Sequence, residues 1–345
     1  MLAAPFDIKQ LALTGDPLPV LDDLNENSAS GYADFSISEN GTLAYIRSSS
    51  LWGKLKLVRF DRDGNVSPIK TDNKFCISPR ISPDGKQIAM TCYEPGKSSD
   101  IWTYDVKRET LTRITLGDES ELNPLWTDYG QRLIYQSEQP QFDLYRKSSD
   151  GSGSEELLRT SPRDKVLGTI SSDGKIMVYS ENDPQMGNDL WRLPLEEEGK
   201  PEVWLQTRAN ENFPSLSPDG HWLAYVSDES RRREIYILPF PEKGERIQVT
   251  KEGGDMPLWS SDEELFFLLG TKVMFVPIIQ GKRPEIGKPS LLFDLDVRND
   301  LLRNYDVSPN SAWFVGLQRD PTASPDEIEV KLNWFEELKE KVPIQ

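Results

Sequence analysis

The chain has 345 residues and carries 57 Asp and Glu against 40 Lys and Arg, which gives a net charge of −17. Such a charge repels phosphate backbones and anionic lipid, so a nucleic-acid-binding or membrane-surface role is disfavoured. With 37% hydrophobic and 28% charged residues, the composition is that of a soluble globular chain that can bury a core. No stretch approaches the roughly 18 apolar residues of a membrane span, so direct membrane insertion is not expected.

The first 22 residues predict strands rather than a targeting segment. The opening MLAAPFDIKQ lacks the basic start and the apolar run of roughly 7–15 residues that a secretory signal needs, so we expect none here. Residues 1–22 instead resemble residues 273–294, which have the pattern of two outer strands of a repeat. The chain is therefore expected to begin in the middle of a repeat.

A tight turn of the Ser-Pro-Asp-Gly type recurs along the rest of the chain. The position that Gly occupies in the clearest copies falls at Gly41, Gly85, Gly130, Gly174, Gly220, Glu263 and Ser311, at intervals of 44, 45, 44, 46, 43 and 48 residues. A period in the forties that is built from strands is typical of propeller blades rather than of helical solenoids. The predicted fold is all-β, a β-propeller of four-stranded antiparallel blades, with seven blades favoured and six or eight as alternatives.

Each repeat is predicted to contain four strands, A to D. Apolar residues before and after the turn mark strands A and B, DIWTYD at 100 is typical of strand C, and LTRIT at 111 of strand D. Pro presets φ in the turn and Gly accepts a positive φ, so the Asp of the motif has a structural rather than a catalytic role. The predicted units are 35–76, 77–120, 121–165, 166–211, 212–254, 255–302 and 303–335, in one domain spanning 1–345.

We predict that strands from both ends of the chain together close the ring. Residues 1–22 are predicted to complete the last blade, whose strands A and B come from residues 303–318, because such closure leaves no free sheet edge. Residues 327–335 also have the pattern of an outer strand, so one strand is surplus in this scheme. Residues 333–342 predict a short amphipathic helix.

The Ser-Pro-Asp-Gly hairpins, the Asp-Ile-Trp strand opening and the Pro-x-Trp-Ser sequence at 257–260 resemble TolB-like, WD-like propeller repeats. The opening LAAPFD…GDPLPVLDD and the ending LNWFEELKEKVP resemble the C-terminal propeller fused to bacterial serine/threonine protein kinases. That resemblance implies a sensor or protein-binding domain in a signalling protein, often in an extracytoplasmic or periplasmic location. The sequence has no kinase motif, and kinase activity is not implied.

Two cysteines, Cys76 and Cys92, are predicted on the two arms of one hairpin. They are slightly out of facing register if Asp84-Gly85 forms the tip, and disulfide geometry is narrow, so two buried free thiols are favoured over a disulfide. Residues 61–65, DRDGN, resemble the start of a calcium loop but lack the later acidic ligand, so a turn is favoured. Acidic stretches at 21–27 and 116–123 are interpreted as solvated loops, with cation binding as the alternative. No metal and no cofactor is predicted.

Nothing in the sequence predicts a catalytic centre. The single histidine, His221, follows a turn Gly and is expected to face solvent, where it cannot anchor a Ser-His-Asp triad. No Gly-x-Ser-x-Gly sequence is present, so the hydrolase half found in some propeller enzymes is missing from this sequence. The chain is therefore predicted to be non-catalytic.

The longer loops between strands B and C and between strands D and A are predicted to lie on one face, around the channel. We expect this face to bind a protein or peptide partner, with the domain itself a monomer. The candidate contact residues are Trp52, Phe142, Met186, Arg231, Arg232 and Arg233. The alternatives are a small-ligand or cation-binding propeller with hydrolase or lyase activity in the channel, and a purely structural module.

Overall fold

The computed structural model of the chain describes two compact units, which are treated separately. One unit contains Met1–Leu55 and Arg319–Gln345, and the other contains Lys56–Gln318. The description leaves out residues 22–23, 25, 28–31, 48–54, 73, 95–96, 139–141, 161–162, 186, 197–198, 280, 282, 296–302, 321–327 and 343–345. Within the described ranges, none of the helices has the length and apolar character needed to cross a membrane.

The larger unit contains five consecutive sheets that repeat the strand order A-B-C-D, numbered blades 1 to 5 along the chain. Blades 1 and 2 consist of Phe75–Ile81, Gln87–Tyr93, Asp100–Asp105 and Thr110–Arg113, and of Glu121–Thr127, Arg132–Ser137, Asp143–Ser148 and Glu156–Arg159. Blades 3 and 4 consist of Lys165–Ile170, Ile176–Asp183, Gly187–Pro194 and Glu202–Leu205, and of Glu211–Leu216, Trp222–Ser227, Glu234–Pro239 and Ile247–Gln248. Blade 5 consists of Asp255–Ser261, Glu264–Leu269 and Lys272–Ile279, whose last strand pairs with both Glu285–Ile286 and Ser290–Asp294.

A sixth sheet closes the ring. Its strands A and B are Tyr305–Val307 and Trp313–Arg319, and its strands C and D are Leu55–Asp61 and Val66–Pro68. Strand A of each blade contacts strand A of the next, and Tyr305–Val307 contacts the inner strands of both blade 1 and blade 5. The described residues thus form a ring of six sheets, five with four strands and one with five, which is consistent with the six-bladed alternative.

The predicted closure by residues 1–22 is wrong, because the outer strands of blade 6 come from residues 55–68. Strand Leu55–Asp61 brings Phe60 into the core, with its ring 5.4 Å from that of Phe293 in blade 5. Phe293 in turn meets Phe314 of blade 6 edge-on at 5.2 Å. These aromatic contacts bury apolar surface between the sheets of blades 5 and 6.

The smaller unit is built on a three-stranded sheet of Phe35–Ile37, Leu43–Ile46 and Ile328–Lys331. The predicted unit 35–76 is therefore divided, with its first two strands here and its last two in blade 6. The surplus strand at 327–335 pairs with Leu43–Ile46, and the predicted C-terminal helix is present as Trp334–Lys341. Three short strand pairs complete this unit: Leu2–Ala3 with Leu18–Pro19, Phe6–Asp7 with Ala12–Leu13, and Glu26–Asn27 with Tyr32–Ala33.

The recurring turn has the structure that its residues predict. In blade 1, Ser82 Oγ donates to Asp84 Oδ1 at 2.7 Å and accepts from the Gln87 N–H at 2.9 Å, while Gly85 has a φ of 71°. The same serine-to-acid or serine-to-amide bond recurs in Ser171–Asp173, Ser217–Asp219 and Ser308–Asn310. The Asp side chain thus folds the turn, as predicted.

A β-bulge in strand A changes the register of each of blades 1 to 5. In blade 1, Ser78 and Pro79 together lie opposite the single residue Met90, and Ser78 has a φ of 52°. The extra residue brings Cys76 directly opposite Cys92, and the two form a disulfide. The prediction of free thiols is wrong because counting from the turn cannot reveal the bulge.

Candidate functional site

The contact residues predicted from the sequence fall into two groups. Trp52 and Met186 lie outside the described residues. Phe142 and Arg231–Arg233 lie between strands B and C of blades 2 and 4, respectively. These positions belong to different blades, and within the described residues no hydrogen bond or ion pair joins them. Blades 2 and 4 are not consecutive in the ring, so the described positions lie on loops of non-adjacent blades.

The three consecutive arginines are not equivalent. The Arg232 Nε donates to Glu234 Oε1 at 2.8 Å, and its Nη2 donates to the Lys251 carbonyl. The Arg233 Nη2 lies 2.7 Å from Asp255 Oδ1. Arg231 is exposed and adopts a φ of 67° at the tip of the loop. Most of the predicted basic patch is thus neutralised by acids of its own chain.

A ring of side chains marks one mouth of the channel. In every blade, one residue lies five positions before the turn between strands A and B begins. This residue is half-buried in four blades and buried in two, whereas the rest of strand A is mostly buried. Strand A is the innermost strand of each blade, so these six positions lie beside the channel. The residues of this channel-mouth ring are Ile77, Leu122, Val166, Asn212, Asp255 and Arg303.

The channel-mouth ring is asymmetric. Blades 1 to 3 contribute the apolar residues Ile77, Leu122 and Val166, whereas blades 4 to 6 contribute one amide and two charged side chains. An apolar surface facing a charged one can hold a chain segment in one direction, because the two sides accept different side chains. The asymmetry is therefore suited to recognition of a particular segment.

Deeper in the ring, Arg303 crosses between blades. Its Nη1 donates to the Pro257 carbonyl at 2.7 Å in blade 5, and its Nη2 donates to the Phe213 carbonyl at 3.3 Å in blade 4. The side chain is 2% exposed, and its Nε has no hydrogen-bond partner. Burial lowers the pKa of this guanidinium, and the neighbouring Tyr305, Asp306 and Asp255 oppose that effect.

Arg80 and Asp306 occupy equivalent positions in blades 1 and 6. Burial lowers the pKa of Arg80 to about 9, the neighbouring Arg303 lowers it further, and Asp306 opposes both. Burial raises the pKa of Asp306, although Arg80 and a hydrogen bond from the Ile81 N–H oppose that effect. Two guanidinium groups beside one carboxylate leave a positive excess in the interior of an acidic chain.

Phe213 connects the channel interior to the arginine loop. Its ring lies 5.4 Å from the Arg233 guanidinium and 5.9 Å from that of Arg303. Phe213 is also the bulge residue of blade 4 and has a φ of 52°, which is costly for a bulky side chain. The sequence analysis missed Phe213, Asp255 and Arg303. For Asp255 and Arg303, the available signal was a charged residue at the strand A position that is uncharged in blades 1 to 4.

The Phe142 carbonyl is held in place by Lys165. The Lys165 Nζ donates to this carbonyl at 3.3 Å and to the Arg163 carbonyl at 2.9 Å. Lys165 begins strand A of blade 3 at the position that Glu121 and Glu211 occupy in blades 2 and 4. Burial lowers the pKa of Lys165, and the acids around it oppose this effect.

The described residues contain no set of three or more His, Cys, Asp or Glu side chains arranged to hold a metal. His221 is 73% exposed at its side chain, and its Nδ1 lies 2.9 Å from Asp219 Oδ2 of the same turn. A cavity of about 510 Å³ lies between the A–B turns of blades 1 and 2, beside exposed Tyr129. Its acids Asp84 and Asp150 already accept hydrogen bonds within their own turns, so this cavity offers few free groups.

Comparison with known proteins supports the architecture. The family described as TolB beta propeller domain matches residues 34–263. A curated protein of Agrobacterium fabrum (strain C58), uncharacterized protein Atu1656, is 26% identical over 231 residues, which cover 63% of this chain and 76% of that protein.

Three solved structures share the fold. A structure assigned to TolB of Agrobacterium tumefaciens has a TM-score of 0.62 at 17% identity and covers 78% of this chain and 99% of its own. TolB of Acinetobacter baumannii has a TM-score of 0.53 at 14% identity, covering 80% of this chain and 65% of its own. The tricorn protease has a TM-score of 0.56 at 16% identity, covering 80% of this chain and 27% of its own. At these identities the likeness concerns the fold alone.

Proposed function

Because the chain belongs to the TolB beta-propeller domain family, we propose that it is a non-catalytic recognition domain that binds a segment of a protein or peptide across the channel mouth. The observation that carries this proposal is the asymmetric channel-mouth ring, with three apolar residues facing Asn212, Asp255 and Arg303. The free strand edges of the ring are the short outer strands D, so the proposed binding uses side chains at a face.

The two halves of the ring have different roles in this proposal. Ile77, Leu122 and Val166 would receive apolar side chains of the partner, where burial supplies most of the binding energy. Arg303 and Asp255 would set direction and charge preference, because desolvated charges mainly give specificity. The predicted contacts Phe142 and Arg231, on loops of blades 2 and 4, would then form an outer rim, and Trp52 and Met186 stay predictions from the sequence.

The resemblance to kinase-linked propellers extends the proposal to a sensor role in bacterial signalling, in which the bound protein would be the signal or a scaffolded component. The domain is expected to act as a monomer. No observation within the described residues favours the alternative of hydrolase or lyase activity in the channel.

The test is affinity capture of partner proteins by the purified chain and by two variants, Leu122→Glu and Val166→Glu. Each variant places a carboxylate at the apolar half of the mouth, so we expect at least a tenfold loss of captured partner, since about 1.4 kcal/mol corresponds to a factor of ten. The matched control is Leu157→Glu, because Leu157 is 50% exposed on outer strand D of blade 2.

Capture that is specific to the native chain and to Leu157→Glu supports the proposal. Equal capture by all four proteins contradicts the channel mouth as the binding site. Circular dichroism of each variant establishes that its fold is retained, so that loss of capture reflects binding.

A further inference from the structure

A buried polar cluster recurs at the junctions between blades. Strand C of one blade opens with an acid, strand D is followed by a threonine, and strand A of the next blade opens with a second acid. All six acids are at most 5% exposed, so each junction must neutralise two buried carboxylates. Two copies share one register, Asp100, Thr115 and Glu121, and Asp189, Thr207 and Glu211; in the third, Glu234 and Thr250 are followed by Asp255 one position later in strand A.

In two of these three junctions, arginine side chains pair with the buried acids. Between blades 1 and 2, the Arg113 Nη2 lies 2.8 Å from Asp100 Oδ1. Between blades 4 and 5, Glu234 pairs with Arg232 at 2.7 Å and Asp255 pairs with Arg233 at 2.7 Å. The blade 2–3 junction departs from the pattern, because Lys165 replaces its second acid.

The junction between blades 3 and 4 has no such cation. Arg113 lies two residues before Thr115, and the corresponding position before Thr207 is Leu205. Within the described residues, neither Asp189 nor Glu211 forms an ion pair. Arg163, whose charge lowers the pKa of Asp189, is paired with Asp183 at 3.0 Å.

One oxygen of each carboxylate in this junction has a neutral donor. The Gln206 Nε2 donates to Asp189 Oδ2 at 2.7 Å, and the Thr207 hydroxyl donates to Glu211 Oε1 at 2.5 Å. The remaining oxygens, Asp189 Oδ1 and Glu211 Oε2, are buried and have no hydrogen-bond partner. Asp189 is 1% exposed and Glu211 is 0% exposed, so bulk water does not solvate these oxygens freely.

The surroundings of the pair are predominantly acidic. Burial, opposed by the Thr207 hydrogen bond and aided by Asp189, Asp228 and Glu229, raises the pKa of Glu211 to about 7. Burial also raises the pKa of Asp189; Asp183 adds to the rise, while Gln206 and Arg163 oppose it. Both carboxylates are therefore short of positive charge.

From these contacts we infer that a hard cation of the calcium class binds between Asp189 and Glu211, taking the place of the arginine found at the neighbouring junctions. The free ligands are carboxylate oxygens only, which hard cations prefer over transition metals. The nearly complete burial of both acids excludes an arginine or lysine side chain of a partner protein, which is too large to enter. With two carboxylates, the site is expected to bind Ca²⁺ weakly, at about 10⁻⁴–10⁻³ M.

The experiment is a CaCl₂ titration of the full chain at pH 8, followed by calorimetry and by thermal unfolding in a buffer first freed of metal by a chelator. We expect saturable heat and a rise in Tm of roughly 2–4 °C at about 10 mM Ca²⁺. An equal ionic strength of NaCl should give neither effect. The variants Glu211→Gln and Asp189→Asn should lose both.

The matched control is Glu121→Gln in the junction that already contains Arg113. Glu121 is buried like Glu211, and its pKa is also raised by burial to about 7, yet its variant should keep the calcium response.

Either of two results would overturn the inference: no calcium heat in the native chain at pH 8, or an undiminished response in Glu211→Gln. A stability that depends on pH but not on Ca²⁺ would show that a proton alone neutralises the pair.

Discussion

At the scale of single residues, burial controls the charge state of Glu121. This side chain is 3% exposed, and burial raises its pKa from 4.5 to about 7, with Asp100 and Glu155 adding to the rise and Thr115 and Arg113 opposing it. Between these two pKa values the folded chain binds more protons than the unfolded chain. Stability should therefore fall as pH rises from about 4.5 to about 7 and then level off.

Replacing Glu121 with Gln should remove this pH dependence. The neutral amide needs no desolvation of charge, so at pH 8 the free energy of unfolding should rise by up to about 3 kcal/mol, with little change at pH 5. Urea unfolding at the two pH values in chelator-treated buffer measures this. The control is Glu156→Gln, whose carboxylate is 51% exposed and paired with Arg146. Parallel shifts of both variants would contradict the assignment.

The residues of the channel mouth show how far sequence can locate a site. The loops that carry Phe142 and Arg231 could be placed from the strand pattern, because turn residues and apolar alternation are local signals. The contribution of Arg303 could not, since its partners Pro257 and Phe213 lie 46 and 90 positions away in other blades. The pairing of Arg233 with Asp255 was hidden for the same reason.

At the scale of strands and hairpins, local chemistry predicted most of the structure. The turns, the four-strand order of blades 1 to 5 and the C-terminal helix follow from short patterns. The bulges of strand A were not predicted, although a residue with positive φ precedes Pro in four of them, at Ser78, Asn123, Phe213 and Met256. A residue that precedes Pro has no strong local preference for a positive φ, so tertiary packing must impose the bulge.

The bulge of blade 1 leads to a prediction about its disulfide. The bond joins residues 16 positions apart, and closing such a loop in the unfolded chain is worth about 3 kcal/mol in the chain-entropy model. The double variant Cys76→Ser, Cys92→Ser should therefore lower the free energy of unfolding by about 2–4 kcal/mol in urea. Thiol titration of the denatured, unreduced native chain should find no free thiol, and two free thiols would contradict the pairing.

At the scale of the whole larger unit, closure depends on one long-range sheet. Local patterns place two outer strands within residues 55–68. They do not show which sheet these strands join, because strand B of the first predicted unit and strand B of the last one both offer an antiparallel edge. The ring contacts of Phe293 with Phe60 and with Phe314 stabilise the observed choice. Repeat counting alone cannot detect such a choice, since it depends on which edge buries more apolar surface.

Phe60→Ala should weaken this closure. Phe60 is 1% exposed, and removing a buried phenyl ring costs about 3–5 kcal/mol of unfolding free energy. The control is Val66→Ala in the same blade, where the side chain is 46% exposed and the loss should stay below about 1 kcal/mol. Chemical denaturation of both variants measures this. Similar small losses in both would indicate that residues 55–61 do not close the ring.

Closure across blade 6 also sets an order of events during synthesis. Strand Leu55–Asp61 is made early, but its neighbour Trp313–Arg319 follows more than 250 residues later. Blades 1 to 5 can assemble from neighbouring hairpins as they leave the ribosome, whereas the early strand must wait with one edge unpaired. The nascent chain is thus most open to chaperones, and to mispairing with other chains, in the interval before residue 319 emerges.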